Sequence, residues 1–129
     1  MTPSHPLDVQ VKRVYDPASP DDGTRVLIDR LWPRGVSKER AGLDAWEKEL
    51  APSTELRHWY DHDPDRYEEF AERYRHELAA PERSTGLDRL RTVARAGRLT
   101  LLTATKDLPH GHVRVLVQVI ERGGDRGGE

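Results

Sequence analysis

The sequence predicts an α/β fold: a small, mainly parallel sheet of about three to four strands flanked by helices, as a three-layer α/β/α sandwich. Three observations predict it. Leu7, Val9 and Val11 alternate with Asp8, Gln10 and Lys12, the period of a half-buried strand. Two short apolar runs, Val26-Leu27-Ile28 and Leu99 with Leu101-Leu102, read as buried strands. Between and after them lie segments whose apolar residues recur at helical spacing.

Residues 16–23 hold two Pro, three Asp and a Gly, and read as a loop. After the second strand Pro33 and Gly35 enforce an irregular segment. Residues 43–50 are ambiguous: Leu43, Trp46 and Leu50 have helical spacing and read as core, yet the stretch is short enough to supply a fourth strand. Ser53 caps a helix that runs to Tyr60. Asp63 followed by Pro64 starts the next, with Tyr67, Phe70, Tyr74 and Leu78 on one face. Ser84 or Thr85 caps another, which ends at Gly97. After the third strand Asp107 caps the last helix, whose apolar face is Val113, Leu116, Val117 and Ile120. Residues 1–122 are expected to form one α/β domain, and the Gly-rich residues 123–129 a flexible tail.

Composition narrows the function classes. The net charge of −2 supplies no basic field for nucleic acid or acidic membrane. Only four of the 21 basic residues are Lys; the Arg excess tracks GC-rich codons and is poor evidence for phosphate binding. The chain has no Cys, so thiolate catalysis and Cys-ligated metal are excluded. Residues 1–7 carry no basic region followed by an apolar run, and no apolar stretch reaches the roughly 18 residues of a membrane span, so a cytoplasmic location is expected.

Chemistry-bearing residues gather after the strands, where ligands bind in open α/β sheets. Asp29, Arg30, Trp32 and Arg34 follow the second strand: an acid, two guanidiniums and an indole suit a planar or anionic ligand. The same residues could form only a structural turn with a core Trp and an ion pair. Lys106, Asp107, His110 and His112 follow the third strand at the start of the last helix, where anions are favoured and an imidazole can exchange protons. Arg57, Trp59, His62 and Asp63 form a third group, with Trp59 read as core and Asp63 as a cap. No His spacing fixes metal ligands on one helix face, so no metal site is expected, and the pattern names no cofactor.

Several runs bring a family into view: Val11-Lys12-Arg13-Val14-Tyr15-Asp16-Pro17, Asp29-Arg30-Leu31-Trp32-Pro33-Arg34-Gly35, Ala51-Pro52-Ser53 and His62-Asp63-Pro64. Together with Leu43-Asp44, Trp46, Leu56-Arg57 and Trp59, they resemble the YeaO-like branch of the domain-of-unknown-function family 488. The resemblance implies an α/β sandwich in a bacterial cytoplasm and supplies no reaction. It also exposes a departure. Where the last helix begins, the wider family often carries Cys-His-Arg and this branch His-Asn-His-Ala; here the run is His110-Gly111-His112-Val113. His112 matches both forms, while Gly111 removes any side chain used there.

The leading expectation is an enzyme or binder for a small anionic, nucleotide-like ligand. Asp29 and His112 would transfer protons, and Arg30, Trp32, Arg34, Arg57, Lys106 and Asp107 would bind. The alternatives are a nucleic-acid-binding or regulatory protein, and an interaction module without chemistry. A single site requires residues 29–34 and 106–112 to lie at one edge of the sheet. Arg34→Ala and His112→Ala are both expected to leave stability nearly unchanged.

Overall fold

The computed structural model describes residues 7–126. Four strands, β1 (Val9–Arg13), β2 (Thr24–Leu27), β3 (Ala45–Trp46) and β4 (Leu99–Thr103), form one sheet in the order β1-β4-β2-β3. All three pairings are parallel: Val9 opposes Leu99, Thr24 opposes Leu99 from the other side, and Val26 opposes Ala45. β3 is the fourth strand allowed for residues 43–50, reduced to two residues at the sheet edge.

The buried strand β4 alternates its faces. Leu99 and Leu101 join Val26 and Ile28 in the larger core, while Leu102 joins Leu27 in the smaller one. The larger core is closed by α2 (Thr54–Tyr60), α3 (Tyr67–Leu78), α4 (Pro81–Ala96) and α5 (His112–Arg126). Leu56, Phe70, Tyr74, Leu90 and Leu116 are their buried contributions. On the opposite face the helical layer is thin: the single turn α1 (Lys38–Ala41) with Val14, Val36 and a half-buried Trp32.

Local signals fix several ends. Ser53 Oγ accepts from the Leu56 amide at 3.1 Å, and Asp63 accepts from the Asp65 amide at 3.0 Å before the 3₁₀ turn Pro64–Arg66 leads into α3. Three expectations fail. α4 starts at Pro81 with no side-chain cap, ahead of Ser84 and Thr85, because proline itself presets the first turn. Asp107 does not cap α5; its carboxylate pairs with His110 Nδ1 at 2.9 Å, and the 3₁₀ turn Leu108–His110 intervenes before the helix. Trp46 is 37 % exposed rather than core, since a two-residue edge strand has no layer to cover it. α5 runs to Arg126, into the stretch expected as a tail, and residues 127–129 lie outside the described ones.

At the N-terminal edge of the sheet, Asp22 and Arg25 are buried and paired, with Lys12 Nζ 3.1 Å from the same carboxylate. The adjoining Gly23 takes φ 64°, and a Cβ there would lie 2.3 Å from the Arg98 carbonyl oxygen, so this turn accepts no side chain.

Candidate functional site

Parallel strands end on one side, and β2 and β4 are neighbours. Residues 29–33 and 104–112 therefore meet at the C-terminal edge, where with the end of α2 they line a cleft of about 990 Å³. Of the eight residues singled out for a site, seven line it: Asp29, Arg30, Trp32, Arg57, Lys106, Asp107 and His112. Arg34 does not. It is exposed beyond the Pro33 bend, and its carbonyl accepts from the Tyr15 hydroxyl at 3.2 Å.

Asp29 is held from two directions. Its Oδ1 accepts from Thr103 Oγ1 at 2.7 Å and its Oδ2 from the Ala104 amide at 2.8 Å. His112 Nε2 lies 3.4 Å from Asp29 Oδ1 and 2.5 Å from the Ile28 carbonyl oxygen. A carbonyl only accepts, so Nε2 carries the proton. Nδ1 then has no hydrogen bond among the described residues, and no buried side-chain nitrogen or oxygen among them lacks a partner, so Nδ1 is open to solvent. The pair thus presents one free imidazole nitrogen from a fixed ring.

The cations divide into two kinds. Arg30 is committed to the fold: Nε and Nη2 donate to the Pro52 and Ala51 carbonyls, each at 3.1 Å, with Glu49 at 3.8 Å. Arg57 and Lys106 are exposed, and their side chains make no ion pair or hydrogen bond among the described residues. Trp32 donates to the Val36 carbonyl at 2.6 Å and meets Trp46 edge-on at 5.4 Å, which fixes its plane.

Tyr60 ties α2 to the start of α5 by donating to the His110 carbonyl at 2.7 Å. Burial, aided by the nearby acids Asp107 and Asp63, pushes its phenol up to about 12, so it remains a neutral donor. In the sequence Tyr60 only ends the helix capped by Ser53, and its hydroxyl's partner is visible only in three dimensions. His58, Asp61 and His62 also line the cleft. Asp61 and His62 have φ 47° and 54°, a left-handed pair of residue types that enter this region more readily than most others apart from Gly. Among the described residues no group of three or more His, Asp or Glu is arranged to hold a metal ion.

Gly111 lies buried in the cleft wall with φ −97° and ψ 165°, an extended backbone open to any residue. A Cβ there would meet the Asp107 carbonyl oxygen at 3.3 Å and Thr105 Cγ2 at 3.4 Å, contacts that need only a small adjustment. The backbone does not demand glycine at the position where the resemblance departs.

The comparisons with known proteins now bear on this site. Residues 8–127 match the family described as the inactive DUF488-N3 subclade. The chain belongs to that subclade. An uncharacterized protein of Mycobacterium tuberculosis, Rv3073c, is 45% identical over 112 residues, covering 87% of this chain and 92% of its own. YeaO of Escherichia coli is 46% identical over 110 residues, covering 85% and 94%. No solved structure matches the chain. Among the described residues of this DUF488-N3 member, no helix is long and apolar enough to cross a membrane.

The geometry revises one mutational expectation and keeps the other. Arg34→Ala should change stability by less than about 0.5 kcal/mol, as exposed substitutions do. His112→Ala should cost about 1–3 kcal/mol, because it strips the Ile28 carbonyl of its donor. Urea unfolding of both variants measures the difference.

Proposed function

We propose that the cleft binds a small anionic ligand, nucleotide-like in pairing charge with a planar group, and holds it without turning it over. One observation carries this reading: Arg57 and Lys106 are the cleft's two cations without a partner among the described residues, and they line the same cleft as the fixed indole of Trp32. A guanidinium and an ammonium suit an oxyanion, and an indole face suits a planar body. The subclade's description as inactive favours binding over turnover. So does Asp29, both of whose oxygens already accept hydrogen bonds from the fold. Proton transfer by Asp29 and His112 is the second reading, favoured by the free Nδ1 of His112.

The test is a thermal-shift series with nucleoside monophosphates, small dicarboxylates and uncharged nucleosides. A ligand that binds only the native state raises the melting temperature, by mass action. Anionic members should raise it, and Arg57→Ala with Lys106→Ala should abolish the rise while leaving the unliganded protein unchanged. Equal shifts from uncharged nucleosides would remove the anion from the proposal. Conversion of a bound ligand, followed by NMR, would replace binding with catalysis.

A further inference from the structure

We infer that His58 and His62 are ligand-facing groups of the cleft, making it an oxyanion site whose charge is set by its histidines. This rests on the anion-binding reading above and adds its binding residues and its control.

Four of the chain's six histidines line this one cleft. Its permanent charges cancel: Arg30, Arg57 and Lys106 stand against Asp29, Asp61 and Asp107. Imidazole is the one type of side chain in the cleft that ordinarily gains charge between about pH 8 and pH 5. Tyr60 adds none, since its phenol is pushed up to about 12.

The four histidines are not equivalent. His112 is fixed by the Ile28 carbonyl and Asp29, and His110 pairs with Asp107 and sets its ring edge-on to Tyr67 at 5.4 Å. His58 and His62 are exposed, and their side chains make no hydrogen bond among the described residues. They flank the end of α2 on which Arg57 also sits.

The charges around them come from three elements. On α2 and its cap stand Arg57 and Asp61, one charge of each sign. After α2, Asp63 is already engaged by the Asp65 amide and by Arg66 at 3.6 Å. Across the cleft stands Lys106, while Asp107 is occupied by His110 and Asp29 by its own partners next to Arg30.

The backbone gives independent support. Asp61 and His62 are the only non-glycine residues with positive φ among the described ones, and both line the cleft. Asp61 ends α2 by donating its amide to the Arg57 carbonyl at 3.0 Å. At His62 a glycine would meet the same backbone demand at lower cost, although His enters this region more readily than most residues.

Protonation adds positive charge, so oxyanion affinity must rise as pH falls. Sulfate is the probe, because it stays doubly charged across this range and its own titration does not intrude. Titrations of the whole protein, followed through the histidine ring resonances, should move His58 and His62. Binding should be at least about tenfold tighter near pH 5.5 than near pH 8. His58→Gln with His62→Gln, both at exposed positions, should flatten that dependence. Equal affinity at the two pH values, shifts confined to His110 and His112, or an unchanged profile in the double variant would each overturn the inference. If sulfate binds equally at both pH values but needs Arg57 and Lys106, the anion reading survives alone. If sulfate binds at neither, this inference fails, and the nucleotide series decides the anion reading by itself.

Discussion

Asp22→Ala is expected to destabilise the protein by about 3–5 kcal/mol, as removal of one partner from a buried ion pair does. Asp22 is 1 % exposed and Arg25 5 %. The carboxylate accepts from Arg25 Nη1 at 2.5 Å, Lys12 Nζ at 3.1 Å, Gln10 Nε2 at 3.1 Å and the Ser19 amide at 3.0 Å. Without it, Arg25 keeps only carbonyl partners, Ala41 at 2.7 Å and Gly42 at 3.2 Å, which leave a buried charge uncompensated. Asp22→Asn keeps the shape and loses the charge, so it should fall near the alanine variant if charge dominates. Burial pushes the Asp22 carboxyl up, but the Ser19 amide and the Lys12 and Arg25 side chains outweigh it and hold the group at about 2 against an ordinary 3.8. A depressed carboxylate stabilises the fold above its unfolded value and stops doing so as pH falls through its folded one. The native protein should therefore lose this contribution progressively from about pH 4 down to about pH 2, and the variants should lack that component. Urea midpoints measured at several pH values check both parts.

Phe70→Ala should be comparably damaging, about 3–5 kcal/mol as for other buried aromatics. Phe70 is 2 % exposed and stacks on Tyr60 with ring centroids 4.2 Å apart, while Tyr74 lies 6.0 Å away. It also floors the cleft, so its removal frees the ring of Tyr60, whose hydroxyl holds the turn before α5. Trp46→Ala, by contrast, should cost only about 1–2 kcal/mol, mostly the hydrogen bond from Nε1 to the Asp29 carbonyl. A Phe70 variant within 1 kcal/mol of the parent protein would mean that the aromatic stack is not a centre of stability.

The contrast between Phe70 and Trp46 shows what the sequence could reveal. Phe70 belongs to a face repeated over three turns of a long helix, and that periodicity survives any tertiary context. Trp46 belongs to an apolar spacing only eight residues long, where helix, strand and edge all remain open. Caps at Ser53 and Asp63 were legible because they act within a turn. Asp107 was misread because its carboxylate had a second local choice, His110, and took it. The placement of the cleft was legible because parallel neighbours must end together. The other wall was not: which face of α2 turns inward depends on Ser53 binding Glu77 and Tyr60 binding the His110 carbonyl, both contacts between distant segments. The Asp22–Arg25 pair is only three residues apart, and it was hidden because composition marks Asp22 as loop and gives no sign that the pair is buried.

The strand order has a consequence for how the chain acquires its shape. β4 separates β1 from β2, and its partner in β1 lies ninety residues earlier, as Val9 and Leu99 show. Emerging from a ribosome, β1 has no strand to pair with until nearly the whole chain is made, and β2 has only the two residues of β3. The first hundred residues must wait with their apolar edges open, relying on helices α2 to α4 for local order. Refolding should accordingly be slow for a chain this short, in the range of about milliseconds to seconds typical of topologies dominated by distant contacts. Truncation before Leu99 should leave not a smaller version of the fold but an aggregation-prone chain.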